Sequence, residues 1–191
     1  MSDDGVRIEI TVAAPVEQVW RSFRDREKIR HWHGWDLPGL DAEIDQIYFE
    51  NAREDGTTLV VHGHDTFALS PVPEGTRVVC TRAPKGTSPE WDDYYDDVTE
   101  GWVTFLHQLK FAHEFHPGQA RRTLFWPAEV AFAVDGRPFF TAEHQRGVVV
   151  DAWGPGLLVT SAKMTVVTTY GFSDEQLEEL RREGDAVVEG G

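Results

Sequence analysis

The sequence predicts an α+β protein built from antiparallel strands and one long amphipathic helix. Three observations carry this prediction: apolar residues alternate through residues 6–12, four strand-like stretches with turn residues between them fill residues 42–82, and apolar residues recur at helical spacing through residues 98–116. The chain has 191 residues, of which 40% are hydrophobic, and one cysteine, Cys80. It is therefore expected to form one globular domain, or one domain with an appendage, without a disulfide framework.

Charge and hydropathy exclude several classes of partner. The formal net charge is −15, which disfavours nucleic acid and anionic lipid, because affinity for phosphate groups comes mainly from Lys and Arg. No stretch is apolar enough for a membrane span, so no membrane insertion is expected. The first residues are acidic and have no signal-peptide pattern, so a cytoplasmic location is expected.

The N-terminal elements follow in order. A half-buried strand at 6–12 leads through Pro15 into a short helix that ends near Arg24. Asp25 is placed to cap a second short helix, which carries Ile29 and Trp32. Four strands at 42–49, 57–62, 64–70 and 76–82 then predict an antiparallel meander.

A long helix over 98–116 is the strongest local signal. Asp97 and Glu100 have the spacing of a capping box, and Pro117-Gly118 ends the pattern. Its main apolar face, expected to be buried, comprises Val98, Trp102, Phe105, Leu106, Leu109, Ala112 and His113. Phe111 and Phe115 lie on nearly the opposite side beside Thr104 and Gln108, so the back of the helix is expected to need a cover.

The last third of the chain predicts further strands and a helix. The strands are expected at 138–143, 147–153, 156–161 and 165–170, and residues 127–134 fit either helix or strand. Ser173 and Gln176 form a capping box for a short last helix, with Phe172 and Leu177 as a hydrophobic staple. The sequence shows no internal repeat, and it divides into a domain at 1–118 and a β-rich extension at 119–191 packed on it.

This order of elements resembles the SRPBCC superfamily of helix-grip domains, which includes the START-like lipid-transfer domains, polyketide cyclases and heat-shock ATPase activators. The resemblance is carried by residues 8–20 (IEITVAAPVEQVW), 29–32 (IRHW) and 97–106 (DVTEGWVTFL) and covers residues 6 to about 116. It implies a helix-grip fold, in which an antiparallel sheet wraps around the long helix and leaves an apolar cavity between them. Two departures are the short meander and the seventy or so residues after the helix.

The resemblance implies that this cavity binds a small hydrophobic or aromatic molecule. Large apolar side chains of the kind that line ligand pockets are Trp20, Trp32, Trp35, Trp102, Phe105 and Leu109. The alternative for each of them is plain core packing. His113 is expected to face the cavity, as a general acid or base or as a neutral core histidine.

His62 and His64 would share one face of a regular strand and are expected near the rim of the cavity. Spacing fixes no third ligand beside them, so no metal is expected, and no motif indicates a cofactor. Cys80 has the pattern of a buried small hydrophobe.

The sequence is compatible with three functions. The first is binding of a small apolar molecule for transport, sensing or sequestration. The second is an enzyme of the cyclase or dehydratase kind that uses cavity His and Asp residues, and the third is a protein-interaction module like the heat-shock ATPase activators. A homodimer would provide one way to cover Phe111 and Phe115.

Truncation after Gly118 tests the expectation that the extension covers the long helix. Residues after Pro117 are predicted to pack around Phe111 and Phe115, within one chain or across a dimer, so the fragment is expected to be insoluble or molten. A monomeric fragment that unfolds cooperatively in urea with near-native stability would contradict this expectation.

Overall fold

The structure is a computed structural model that describes residues 5–86 and 94–190. The chain divides into two compact units. The N-terminal unit comprises Met1–Gly34 and Pro38–Gly118, and the C-terminal unit comprises Trp35–Leu37 and Gln119–Gly191. In the part of the chain that is described, no helix has the length and apolar character needed to cross a bilayer.

The N-terminal unit is a five-stranded antiparallel sheet with a long helix packed along its first strand. Its elements in chain order are β1 (Arg7–Val12), α1 (Val16–Arg24), α2 (Arg26–Ile29), α3 (Leu40–Asp45), a π-helical turn (Gln46–Glu50), β2 (Ala52–Asp55), β3 (Thr58–Val61), β4 (Asp65–Val72), β5 (Gly75–Thr81) and α4 (Tyr95–Phe115). The strand order is β1-β5-β4-β3-β2, and helix α4 contacts β1. The predicted α+β class and helix-grip arrangement are confirmed.

Local chemistry explains how these elements begin and turn. The Asp25 carboxylate accepts hydrogen bonds from the backbone N–H groups of Glu27 and Lys28, so it caps α2 as predicted. Gly75 opens β5 at a φ of 138°, where a Cβ atom would lie 2.1 Å from the carbonyl oxygen of Val12. Only glycine fits this hairpin without moving β1.

The strand predicted at residues 42–49 is wrong, because this segment is helical. It forms α3 and the π-helical turn, and Leu40, Ile44, Ile47 and Tyr48 are its buried residues. Their spacing of i, i+4, i+7 and i+8 is helical and places all four on the core side. The first strand of the meander is instead β2, which follows the turn.

Helix α4 differs from its prediction at its start and on its outer side. It begins at Tyr95, so Asp97 lies inside the first turn and does not cap the helix, and Val98 is 37% exposed. Thr104 and Gln108, predicted on the outer side, are fully buried. Phe111 is also fully buried, and its ring stacks on Phe115 with centroids 4.7 Å apart. The helix is therefore buried over most of its circumference.

The C-terminal unit is a second antiparallel sheet followed by a helix. Its elements are β6 (Arg121–Trp126), β7 (Arg137–Thr141), β8 (Arg146–Val150), a 3-10 turn (Asp151–Trp153), β9 (Gly156–Thr160), β10 (Thr165–Tyr170) and α5 (Asp174–Gly190). Strand β6 was not predicted, the strand predicted at 147–153 ends at Val150, and the short last helix has 17 residues. The ambiguous residues 127–134 form neither helix nor strand.

The predicted capping box of the last helix is confirmed. The Ser173 hydroxyl accepts from the backbone N–H of Gln176 at 3.2 Å, and the Gln176 side chain accepts from the backbone N–H of Ser173 at 2.9 Å. Leu177 and Phe172 both pack in the hydrophobic core of this unit. Two backbone donors at the start of α5 are thereby satisfied.

The two sheets share one strand order although the sequence shows no repeat. The order is β1-β5-β4-β3-β2 in the N-terminal unit and β6-β10-β9-β8-β7 in the C-terminal unit. In each unit the first strand pairs with the last, and a helix follows that last strand. The helices between β1 and β2 correspond in position to the irregular segment between β6 and β7.

A buried ion pair connects the N-terminal sheet to the start of α4. The Arg82 Nε atom donates to the Asp65 carboxylate at 3.1 Å, and both side chains are buried. The Arg82 guanidinium also donates to the carbonyl of Tyr95 at 2.7 Å and to the Thr99 hydroxyl at 2.6 Å. Asp65 accepts in addition from the backbone N–H of Ala83. Arg82 therefore anchors the first turn of α4 to the sheet.

Replacing Arg82 with Met is expected to lower the free energy of unfolding by about 3–5 kcal/mol, because it leaves the Asp65 charge buried without its partner. Urea unfolding measures the change. Arg30→Gln removes an exposed ion pair with Asp41 and is the control, with an expected loss below about 1 kcal/mol. Equal losses for the two variants would contradict the anchoring role.

Candidate functional site

A groove of about 210 Å³ opens on the N-terminal unit between α1, the α2 region and the last turns of α4. It is lined by Gln18, Arg21, Ser22, Lys28, His31, Trp32, Leu109, Ala112, His113, Pro117 and Gly118. Trp32, Leu109 and Ala112 are buried and form an apolar floor, whereas the Arg21, Lys28 and His31 side chains are exposed or half-buried. The site thus combines an apolar surface with a polar rim, as small-molecule sites do.

Trp32 in the floor is held by two helices of the unit, α1 and α4. Its indole N–H donates to the carbonyl of Ser22 in α1 at 2.8 Å, and its own carbonyl accepts from the Gln108 side chain in α4 at 2.9 Å. Its ring also contacts Phe23 with centroids 4.8 Å apart. Because the indole N–H and the backbone carbonyl of Trp32 both form hydrogen bonds, the floor of the groove is fixed before any ligand binds.

Ser22 and His113 form a polar pair at the side of the groove. The Ser22 Oγ atom lies 2.9 Å from His113 Nε2, in a hydrogen bond between α1 and α4. Burial lowers the pKa of His113, the Lys28 charge lowers it further, and Glu114 acts in the opposite direction. His113 is therefore a neutral imidazole at neutral pH, able to accept a proton or a hydrogen bond.

Trp102 and Phe105 lie together in the aromatic core and not in the lining of the groove. Both rings contact His33, with centroid distances of 5.5 and 4.9 Å, and Trp102 also contacts Phe67 of β4 at 4.9 Å. Trp102 reaches strand β4 of the sheet, whereas Phe105 packs on the loop after α2. Aromatic rings occupy this part of the space between sheet and helix.

The remaining predicted site residues are scattered. Trp20 is half-buried on α1 outside the groove lining, and Trp35 stacks on Phe125 in the C-terminal unit with centroids 5.3 Å apart. His62 and His64 share no strand face, because β3 ends at Val61 and the chain turns there with His62 at a φ of +51°. The Gly63 turn breaks the alternation on which their shared face depended.

A buried hydrogen-bond array connects the aromatic core to the surface. The Tyr48 hydroxyl lies 2.9 Å from His33 Nδ1, and His33 Nε2 lies 3.2 Å from Glu43 Oε1. Burial raises the pKa of Tyr48, and the hydrogen bond from His33 lowers the pKa of Glu43. The Tyr48 hydroxyl therefore donates to His33, which donates to the ionised Glu43 carboxylate.

Cys80 is buried in β5, and burial raises the pKa of its thiol to about 12, so it stays protonated. Among residues 5–86 and 94–190, no three His, Cys, Asp or Glu side chains come together as a metal site requires.

Sequence reasoning identified only part of the groove. Trp32, Leu109 and His113 were predicted site residues and do line it, but Arg21, Ser22 and Lys28 were missed. Arg21 and Lys28 have the ordinary appearance of solvated residues on short helices. Their proximity to His113 depends on how α1, α2 and α4 pack, and local spacing gives no sign of that packing.

Sequence comparison gives little overlap with known proteins. No protein-family model matches the chain. A curated protein of Arabidopsis thaliana, named "Probable histone-arginine methyltransferase 1.4", is 33% identical over 79 residues, which is 39% of this chain. The chain spans 15% of the length of that relative.

Several solved structures are similar to this chain at the level of fold. DynU16, described as a putative protein in the dynemicin biosynthetic locus, matches 97% of this chain and 95% of its own, with 14% identity and a TM-score of 0.39. The di-domain ARO/CYC protein StfQ from the steffimycin biosynthetic pathway also matches 97% of this chain and 95% of its own, with 11% identity and a TM-score of 0.40. An AHSA1-like protein of Rhizobium etli matches 73% of this chain and 92% of its own, with 22% identity and a TM-score of 0.38. At these identities the likeness concerns the fold alone.

Two histidines of α4 predict how stability depends on pH. Burial lowers the pKa of His107 to about 4, and its Nδ1 atom lies 2.7 Å from the carbonyl of Val103. In the unfolded chain the pKa of a histidine is about 6.5, so acidification through this window protonates the unfolded chain first. The free energy of unfolding is expected to fall as the pH decreases from 6.5 to about 4.

The His107→Gln variant is expected to lose part of this pH dependence, and His113→Gln a smaller part. His144→Gln is the matched control, because the His144 side chain is 65% exposed. Urea unfolding at several pH values measures all three variants. An unchanged slope in His107→Gln would show that His107 is not held neutral by the fold.

Proposed function

We propose that this protein binds a small molecule with an aromatic or apolar body in the groove between α1, α2 and α4. The observation that carries the proposal is the combination of a fixed apolar floor, Trp32 and Leu109, with the polar Ser22–His113 pair beside it. Aromatic and aliphatic walls supply most of the binding energy in such sites, and a few polar groups orient the ligand. Transport, sensing or sequestration would all use this arrangement.

The volume of the groove sets the size of the ligand. An apolar cavity of about 150 Å³ holds one benzene molecule. The groove, at about 210 Å³, has room for a single aromatic ring with a short polar substituent. A long acyl chain or a fused multi-ring polyketide would extend beyond this groove into solvent.

A catalytic function is supported less well than binding. The His33–Glu43 pair has the hydrogen-bond distance that acid–base chemistry needs, but His33 is 1% exposed and its ring is surrounded by Trp32, Tyr48, Trp102 and Phe105. A reacting molecule in the groove contacts neither member of that pair. Binding therefore remains the function that the geometry supports best.

Titration with single-ring aromatic probes tests this proposal. Benzamide, benzoate and phenyl phosphate are added to the full chain while the indole N–H signal of Trp32 and the ring signals of His113 are followed by NMR. Saturable shifts of both residues with at least one probe are expected. If no probe gives a saturable shift at millimolar concentration, the proposal is wrong.

Leu109→Ala separates binding from stability, with Leu106→Ala as its matched control. Both leucines are fully buried in α4, so each truncation is expected to cost about 2–5 kcal/mol. Only Leu109 lines the groove, so only Leu109→Ala is expected to change the dissociation constant of the probe. Equal effects of the two variants on binding would place the ligand elsewhere.

A further inference from the structure

We infer that the ligand carries an anionic group, a carboxylate or a phosphate, which Arg21 and Lys28 hold at the rim of the groove. This inference rests on the proposed binding function and deepens it. The basic side chains on and just after the two short helices form two sets: those that line the groove and those that lie outside it.

Three basic side chains on or just after these helices lie outside the groove and are already neutralised. Arg24 pairs with Glu54 at 2.6 Å, Arg26 pairs with Asp45 at 2.5 Å, and Arg30 pairs with Asp41 just after α2. Arg24 and Arg26 also lie over the ring of Phe49. Each of these three side chains, which lie on or just after the two short helices and away from the groove, therefore has a carboxylate partner.

Arg21 and Lys28, which line the groove, have no such partner among the residues that the structure describes. Neither Arg21 nor Lys28 forms an ion pair with any residue in 5–86 or 94–190. Arg21 donates only to the backbone carbonyl of Glu17, at 3.3 Å.

The lining of the groove also excludes carboxylates. Its eleven residues include Arg21, Lys28, His31 and His113 but neither Asp nor Glu. An anion placed there meets two cations without a competing negative side chain in the lining, and charge-assisted hydrogen bonds of this kind are about twice as strong as neutral ones. The net charge of −15 repels anions from most of the surface. The two cations at the rim would attract an anion to the groove.

His113 supports the same orientation of the ligand. Lys28 and the Ser22–His113 pair line the same groove. When the Ser22 hydroxyl donates to Nε2, the proton of the neutral imidazole lies on Nδ1 and can be donated to an anion. The ring of the ligand would then rest on Trp32 and Leu109, with its anionic end toward Lys28 and Arg21.

The experiment compares the affinities of benzoate, phenyl phosphate and neutral benzamide for the full chain and for two variants. In the wild type at least one anion is expected to bind about tenfold more tightly than benzamide, and added NaCl is expected to reduce this preference. Lys28→Gln and Arg21→Gln are each expected to remove most of the preference while benzamide affinity changes little. Arg26→Gln removes the same charge from the same segment outside the groove and is expected to leave the preference unchanged.

The outcomes separate this inference from the function on which it rests. A preference for benzoate identifies a carboxylate ligand, and a preference for phenyl phosphate identifies a phosphate ligand. If all three probes bind equally, or if Arg26→Gln weakens anion binding as much as Lys28→Gln does, the inference is wrong while the binding function stands. If none of the probes binds, the binding function itself is wrong.

Discussion

The side chain of Gln108 is the polar group on which the site depends. It is fully buried in the middle of α4, where an amide without hydrogen-bond partners would cost about 1–3 kcal/mol. It donates to the carbonyl groups of Trp32 and Gly34, at 2.9 and 3.5 Å, and so fixes the loop after α2 against the helix. This one requirement orients Trp32 as the floor of the groove and places His33 among the core aromatic rings.

Several charged side chains of this unit are likewise paired with a group of opposite charge. Asp65 and Arg82 are buried and neutralise one another, and the arginines on the outer sides of α1 and α2 have carboxylate partners. Arg21 and Lys28 of the same two helices form no ion pair with any described residue, and both line the groove. Solvent stabilises these two charges in the free protein, and a bound anion would replace that solvent on binding.

Elements whose signals are local could be predicted from the sequence, and those that depend on packing could not. Asp25 and Ser173 are short-range caps, and residues 165–170 match β10 because a run of β-branched residues favours a strand in most contexts. Residues 42–49 were misassigned because Ile44 and Ile47 read as strand residues when the helical spacing to Leu40 and Tyr48 is overlooked.

Gln108 was placed on the outer side because one apolar stripe does not reveal a helix that is buried on several sides. The Ser22–His113 contact joins residues 91 positions apart, and no local pattern encodes it.

The strand order common to both sheets has a consequence for folding kinetics. The first strand of each unit pairs with its last strand, β1 with β5 and β6 with β10, so the closing hydrogen bonds join distant parts of the chain. Bringing such distant strands together lowers the entropy of the chain before their hydrogen bonds stabilise the fold. Folding is therefore slower than for a sheet made only of consecutive hairpins. During synthesis β1 must therefore wait for β5 to leave the ribosome, and each sheet is completed only when its first strand pairs with its last.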